Sequence, residues 1–263
     1  NPYFPLALTP NTSWDTTGTK ASAYAQISHL FFDRLQAIAG GRVDYFSMID
    51  KAAVFSPRVS LSYAVSPLTS VSASAGLFHQ APSLIWLVSN SANRALEHLQ
   101  VRQFVAGIEQ LLRADTKIRL EAYVKQYSNY PANTLRTYLV QANTGAGFGG
   151  SEEGFASFGF DPLSSAGSGI ARGVELLLQK RLSEVPCYGI LSLTYGESNF
   201  TAIDGVERPG SFDQRIIVNL SGGYKFDERG ETSLKFRFGT GAPYTPFLPD
   251  GTIDPARYNG ERL

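Results

Sequence analysis

The sequence predicts an all-β chain, part of an antiparallel up-and-down transmembrane β-barrel of about ten strands. Three observations predict it. The first is alternation. Phe55, Pro57, Val59, Leu61, Tyr63 and Val65 share one parity, and Ser56, Arg58, Ser60, Ser62 and Ala64 share the other. Successive side chains of a strand point to opposite faces, so one face here is apolar and the other small, polar or charged. The second is length. The alternating runs match the ~9–11 residues that a tilted strand needs to cross a bilayer, whereas a soluble sandwich uses shorter strands and hides its apolar face under a second sheet. The third is that tight and long connections alternate along the chain, as short periplasmic turns and long extracellular loops do in outer-membrane barrels.

The strands follow in order. Residues 21–32 turn at Asp33-Arg34 into 35–48. Residues 55–65 turn through Ser66-Pro67-Leu68 into 69–79, where Val71, Ala73, Ala75 and Leu77 oppose Ser70, Ser72, Ser74 and Gly76. A long connection, 80–98, has a helical turn expected around 93–99. Residues 100–112 turn at Arg113-Ala114-Asp115 into 116–126, the clearest strand. There Ile118, Leu120, Ala122 and Val124 oppose Lys117, Arg119, Glu121, Tyr123 and Lys125. Residues 127–166 read as the longest irregular stretch, rich in Gly and Ser, with Tyr130, Tyr138, Phe148, Phe155, Phe158 and Phe160. Compact soluble domains rarely hold such a loop. Strand 169–182 turns through 183–186 into 188–197. After a medium loop come 212–226 and, past Asp227-Glu228-Arg229-Gly230, 232–239. The turns at Asp33, Ser66, Arg113, Ser183 and Asp227 fall on one side, expected to be periplasmic.

Composition agrees. No apolar run approaches the ~18 residues of a spanning helix. Hydrophobic residues are 43% of 263, a value that a barrel with a polar lumen shares with globular proteins. Lysine plus arginine and aspartate plus glutamate are 23 each, so charge gives no argument for a nucleic-acid partner. The 13 Tyr and 17 Phe suit interfacial girdles. The single Cys187 forms no internal disulfide.

Chemical motifs are weak. Gly167-Ser168-Gly169-Ile170-Ala171-Arg172-Gly173 has dinucleotide-loop glycines at the wrong spacing and leads into a strand, so it reads as a strand entry. His29, His79 and His98 lack metal-ligand spacing, and no Gly-x-Ser-x-Gly elbow or Cys-x-x-Cys pair occurs. Glu152-Glu153 fits a solvated loop, and Asn11-Thr12-Ser13 matches a glycosylation pattern that means little in a bacterium. Arg58, Lys117, Arg119, Glu121, Glu175, Arg181, Arg215, Lys235 and Arg237, all of inner parity, either line a substrate path or form lumen salt-bridge ladders. The loop aromatics either stack on a ligand or pack the loop.

Several segments, taken together, resemble the β-barrel of TonB-dependent outer-membrane receptors. They are 56–63, Gly76-Leu77-Phe78-His79-Gln80-Ala81-Pro82-Ser83, 106–110, 119–123, Ala171-Arg172-Gly173-Val174-Glu175-Leu176 and 239–246. The resemblance implies uptake of an iron chelate, cobalamin or glycan across the outer membrane of a Gram-negative-type bacterium. Energy would come from the TonB complex through a plug. No plug, TonB-contacting segment or terminal aromatic strand is recognised, so residues 1–263 are expected to be an internal piece of one barrel domain. Expected partners are outer-membrane lipid, TonB through the missing plug and an unidentified nutrient, with no nucleic acid. No catalytic, cofactor-binding or metal-binding residue is assigned, and the ligand-binding residues are unknown. A passive porin-like channel, a barrel-borne outer-membrane enzyme and a soluble β-sandwich are the alternatives.

Overall fold

The computed structural model describes residues 15–141, 161–249, 251 and 254–262. Ten long strands form, in chain order: β1 (Lys20–Phe31), β2 (Leu35–Phe46), β3 (Ala53–Ser66), β4 (Thr69–Gln80), β5 (Leu99–Arg113), β6 (Thr116–Asn133), β7 (Leu163–Lys180), β8 (Cys187–Thr201), β10 (Ile216–Lys225) and β11 (Glu231–Gly239). The three-residue β9 (Glu207–Pro209) adds to β8 and makes an 11-stranded sheet. Each long strand pairs antiparallel with its neighbour in sequence. A two-stranded ribbon, β12 (Pro243–Tyr244) with β13 (Glu261–Arg262), stands apart from the sheet. The sheet is open, with β1 and β11 at its edges and exposed along their whole length.

Register carries the parities across the wall. Leu120 pairs with Ile108 and Leu176, and Leu176 pairs with Leu193, so one face is continuously apolar. On the other face Glu109 meets Arg119, and Gly107 meets Glu121. No second layer covers the apolar face among the described residues. Leu120 stays 44% exposed and Phe104 51%, while Ile118 and Val124 are half-buried by their neighbours in the sheet. On β5 the outward residues from Phe104 to Leu112, apolar except for Gln110, lie between Arg102 and Arg113. At ~3.4 Å per residue and a tilt near 40°, they span on the order of 20–25 Å, about the height of a lipid-facing band.

Polar atoms close the tight turns. In the three-residue connection between Phe31 and Leu35, Phe32 and Asp33 both take left-handed backbone (φ 51° and 56°), as the centre of a turn that matches strand twist does, and the Arg34 amide donates to the Phe31 carbonyl at 3.1 Å. Asp227 accepts from the amides of Arg229 and Gly230, each at 2.7 Å. Asp115 ties two turns together. It accepts from Lys180 Nζ at 2.5 Å, Thr116 Oγ1 at 2.8 Å and the Ser183 hydroxyl. These donors, Lys180 first, hold its carboxyl well below the usual carboxylate range. A depressed folded-state pKa contributes stability above the unfolded value of ~4 and loses it as pH falls towards the folded value. The Arg181 amide donates to the Asp115 carbonyl at 2.8 Å. Its hydrogen-exchange protection is therefore expected to hold from neutral pH to ~4 and to decline below. Asp115→Asn should remove that decline.

On the inner face, Tyr123, Gly173 and Gly196 stand in register on β6, β7 and β8, and the phenol lies across both glycines. A Cβ on Gly173 would come within 2.7 Å of Tyr123 Oη and 2.6 Å of the Tyr195 carbonyl. Gly173→Ala is expected to cost about 1–3 kcal/mol in unfolding measured in detergent. Tyr123→Ala should restore only part of it, because the backbone clash remains.

The observed strands outrun the predicted ones at the loop end. β6 continues to Asn133 and β7 begins at Leu163, so the irregular stretch is shorter than 127–166. Register shifts between Tyr127 and Ala132, with Asn129 left-handed (φ 58°), break the alternation there. Conversely, β10 begins at Ile216 rather than 212, because the chain at Asp213 turns back on Gly210. In the connection after β4, the helical turn forms earlier than expected. It comprises α1 (Leu84–Ser89) and a 3₁₀ turn at Ser91–Ala95. Phe148, Phe155, Phe158, Phe160, Glu152, Glu153 and Asn11–Ser13 lie outside the described residues.

Candidate functional site

Buried side chains gather at the loop end rather than within the wall. Trp86 and Leu87 of α1 pack with Leu96, with Phe46 at the end of β2 and Met48 and Ile49 just after it, and with Leu163 at the start of β7. Asn93 fastens this cap. It is fully buried, donates to the Trp86 carbonyl at 2.9 Å and the Asp161 carbonyl at 3.3 Å, and accepts from the Leu163 amide at 2.7 Å. The cap thus joins three segments far apart in sequence and shapes the mouth of the polar face.

Two polar neighbourhoods lie at this loop end of the wall. A cleft of about 300 Å³ opens between the start of β1, the end of β2 and the end of β4, lined by Lys20, Arg42, Asp44, His79 and His98. Arg42 and Asp44 are ion-paired at 2.7 Å. His79 Nδ1 lies 3.0 Å from Ser56 Oγ. His98 is 2% exposed and its ring nitrogens lack a well-formed hydrogen bond. Burial chiefly, and the charge of His79, push its pKa below the ordinary histidine value, so the imidazole is neutral near pH 7.

The second neighbourhood is a charge ladder across β7, β8 and the segment that leads into β10. Arg172 and Arg215 both bind Glu197. Asp213, with a side chain only 1% exposed, accepts from Arg215 at 3.2 Å, Arg262 at 2.5 Å and the Ser198 amide at 2.9 Å. Arg262 also donates to the Asp213 carbonyl at 2.6 Å, and Asn259 donates to the Pro209 carbonyl at 2.9 Å. The β12–β13 ribbon is thereby strapped to the wall. Beside it, Tyr127, Tyr130 and Phe200 stack in a trio with centroids 5.3–5.7 Å apart.

The predicted inner-parity charges divide. Lys117 pairs with Glu109 at 3.1 Å and Arg119 with Glu121 at 2.5 Å, as a lumen ladder requires. Arg215 joins the mouth cluster. Arg58 reaches Gln26 at 3.4 Å, and Arg181 the Ala114 carbonyl at 3.3 Å. Glu175 stands opposite Glu121 in register. Lys235 and Arg237 lie on the edge strand β11, opposite Ser221 and Asn219. His29 stacks edge-on against Phe31 on β1, and the glycines at 167, 169 and 173 lie within β7. Sequence reasoning missed Arg172, Glu197 and Asp213. A signal was present for the first two: they are charges on the parity occupied by Val174, Tyr195 and Leu193, so they mark where the apolar band stops.

The sequence matches the family described as TonB dependent receptor-like, beta-barrel, over residues 1–261. The chain belongs to the TonB-dependent receptor β-barrels. Among curated proteins none matches it. Solved structures of similar shape include the ferripyoverdine receptor of the outer membrane of Pseudomonas aeruginosa bound to ferripyoverdine (TM-score 0.67, 14% identity, 89% of this chain and 30% of that one). The FrpB iron transporter of Neisseria meningitidis is another (0.65, 14%, 90% and 36%). The ferric-catecholate import receptor Fiu from K12 E. coli is a third (0.62, 9%, 86% and 35%). At these identities the likeness is one of fold. The TonB-dependent receptor segment spans about a third of the length of each neighbour.

Proposed function

We propose that residues 1–263 are part of a single barrel domain in an outer-membrane receptor of a Gram-negative-type bacterium. The receptor takes up a scarce nutrient with energy from TonB. A ferric chelate is the favoured cargo, because structural neighbours are named as a ferripyoverdine receptor, an iron transporter and a ferric-catecholate import receptor; cobalamin and glycans are the other candidates. In this reading the tight turns are periplasmic and the capped mouth is extracellular, and the plug that contacts TonB lies outside these residues. The chain has a wall role and carries no catalytic step.

The observation that carries the reading is a single-layered wall with one uncovered apolar face and one ion-paired polar face. In water the apolar face would be a very large exposed patch. Against lipid it needs no cover.

Leu120→Lys, near the middle of the apolar band, is expected to destabilise the barrel in bilayers by ~2–4 kcal/mol. Ser74→Lys, on the polar face, should cost far less. Reversal of that order would overturn the membrane reading. For uptake, cells lacking the intact protein should fail to grow on one ferric chelate as sole iron source, and the rescue by the wild-type gene should require TonB. TonB-independent entry of unrelated small solutes would favour the porin-like alternative.

A further inference from the structure

The apolar face carries one notch, near its tight-turn edge. Across β7, β8, β10 and β11 the outward residues form rows in register. One row is Leu178, Leu191, Leu220 and Phe236; the next is Lys180, Gly189, Gly222 and Leu234; the next holds Cys187, Tyr224 and Thr232. The middle row places two glycines side by side, so the wall loses two side chains where every neighbour has one. The result is a groove of about 640 Å³ bounded by Leu191 and Leu220 on one side, Tyr224 on the other, and Leu234 and the Lys180 stem at its ends.

We propose that this groove seats one acyl chain of a phospholipid from the periplasmic leaflet, held longer than the surrounding annular lipid. The inference rests on the membrane reading above. Three observations support it. The groove is continuous with the apolar band, so only lipid chains reach it in the bilayer. The one cation among its lining residues, Lys180, closes the end of the groove formed by the last residue of β7, and a chain's phosphate headgroup would lie there. Asp115 at 2.5 Å, Ser183 at 3.3 Å and the Arg181 carbonyl at 3.4 Å engage the three donors of that ammonium, and the longest of these bonds is the one a phosphate would displace. The two glycines that make the notch lie on β8 and β10, each paired on both sides, and only the Leu234 end of the groove borders the open edge. Packing rather than hydrophobic transfer drives the seating. An empty notch forfeits dispersion contacts on its lining, and lipid beside a smooth wall gains no equivalent.

The test uses the intact protein in nanodiscs of phosphatidylethanolamine and phosphatidylglycerol, a fraction of it carrying a photoreactive diazirine in one acyl chain. Peptide mass spectrometry should find adducts at Leu191, Leu220, Tyr224 and Leu234 severalfold above those at Val59, Leu61 and Ile108 of the same band. Gly189→Leu should bring the groove down to the level of the band. Because a Cβ there meets the Ser221 carbonyl at 3.0 Å, Thr232→Trp, which fills the groove from a side chain already present, serves as the second variant. Even labelling over the band, labelling unchanged in both variants, or protein–protein crosslinks in place of lipid adducts would overturn the groove while leaving the membrane reading intact. Absence of adducts from the whole apolar face would sink both.

Discussion

Replacing Asn93 with leucine is expected to unseat the loop-end cap while leaving the strands folded. Asn93 is fully enclosed and satisfies the carbonyls of Trp86 and Asp161 and the amide of Leu163. Leucine has similar bulk but no polar atoms, so buried backbone groups lose their partners at ~1–3 kcal/mol each. About 3–5 kcal/mol of local stability should disappear. The check is amide exchange. Protection at Leu96 and Leu163 should drop by orders of magnitude, while β4 and β5 keep theirs. Unchanged protection at Leu163 would show that the apolar contacts alone hold the cap.

Asp213→Ala is expected to free the β12–β13 ribbon. Two arginines converge on a carboxylate with almost no exposure. Removing one partner of a buried ion pair costs ~3–5 kcal/mol, and the partial exposure of Arg215 and Arg262 places this case at the lower end. Limited trypsin digestion reads it directly. Cleavage after Arg257, which is exposed, should accelerate strongly in the variant and little in Lys117→Ala, whose ion pair lies far down the wall.

The wall was legible in the sequence because period-two alternation fixes which side chains share a face, and a one-residue slip would invert every one of them. Ile118, Leu120 and Val124 against Lys117, Arg119 and Glu121 needed no tertiary information. The mouth was not legible. Asn93 reaches Asp161 and Leu163 across about seventy residues, and Asp213 meets Arg262 across 49. No local pattern records such a partner. The extension of β6 was hidden for a different reason. Bulges at Tyr127 to Ala132 shift the parity, so the segment resembles a loop while still exchanging ladder hydrogen bonds. Of the inner charges, the ladder reading fits Lys117 and Arg119, whose partners lie on the same or the adjoining strand.

Sequential pairing of the ten long strands has a consequence for biogenesis. Every long strand after β1 pairs with the long strand before it in the chain, so the polypeptide can be zipped up hairpin by hairpin as it is delivered, each new segment templated by the last. Loop-closure entropy is small for every tight turn and rises only at the long connections. Assembly should therefore pause at the long connections rather than at the tight turns, and the exposed β11 margin is an open edge able to pair with a further strand.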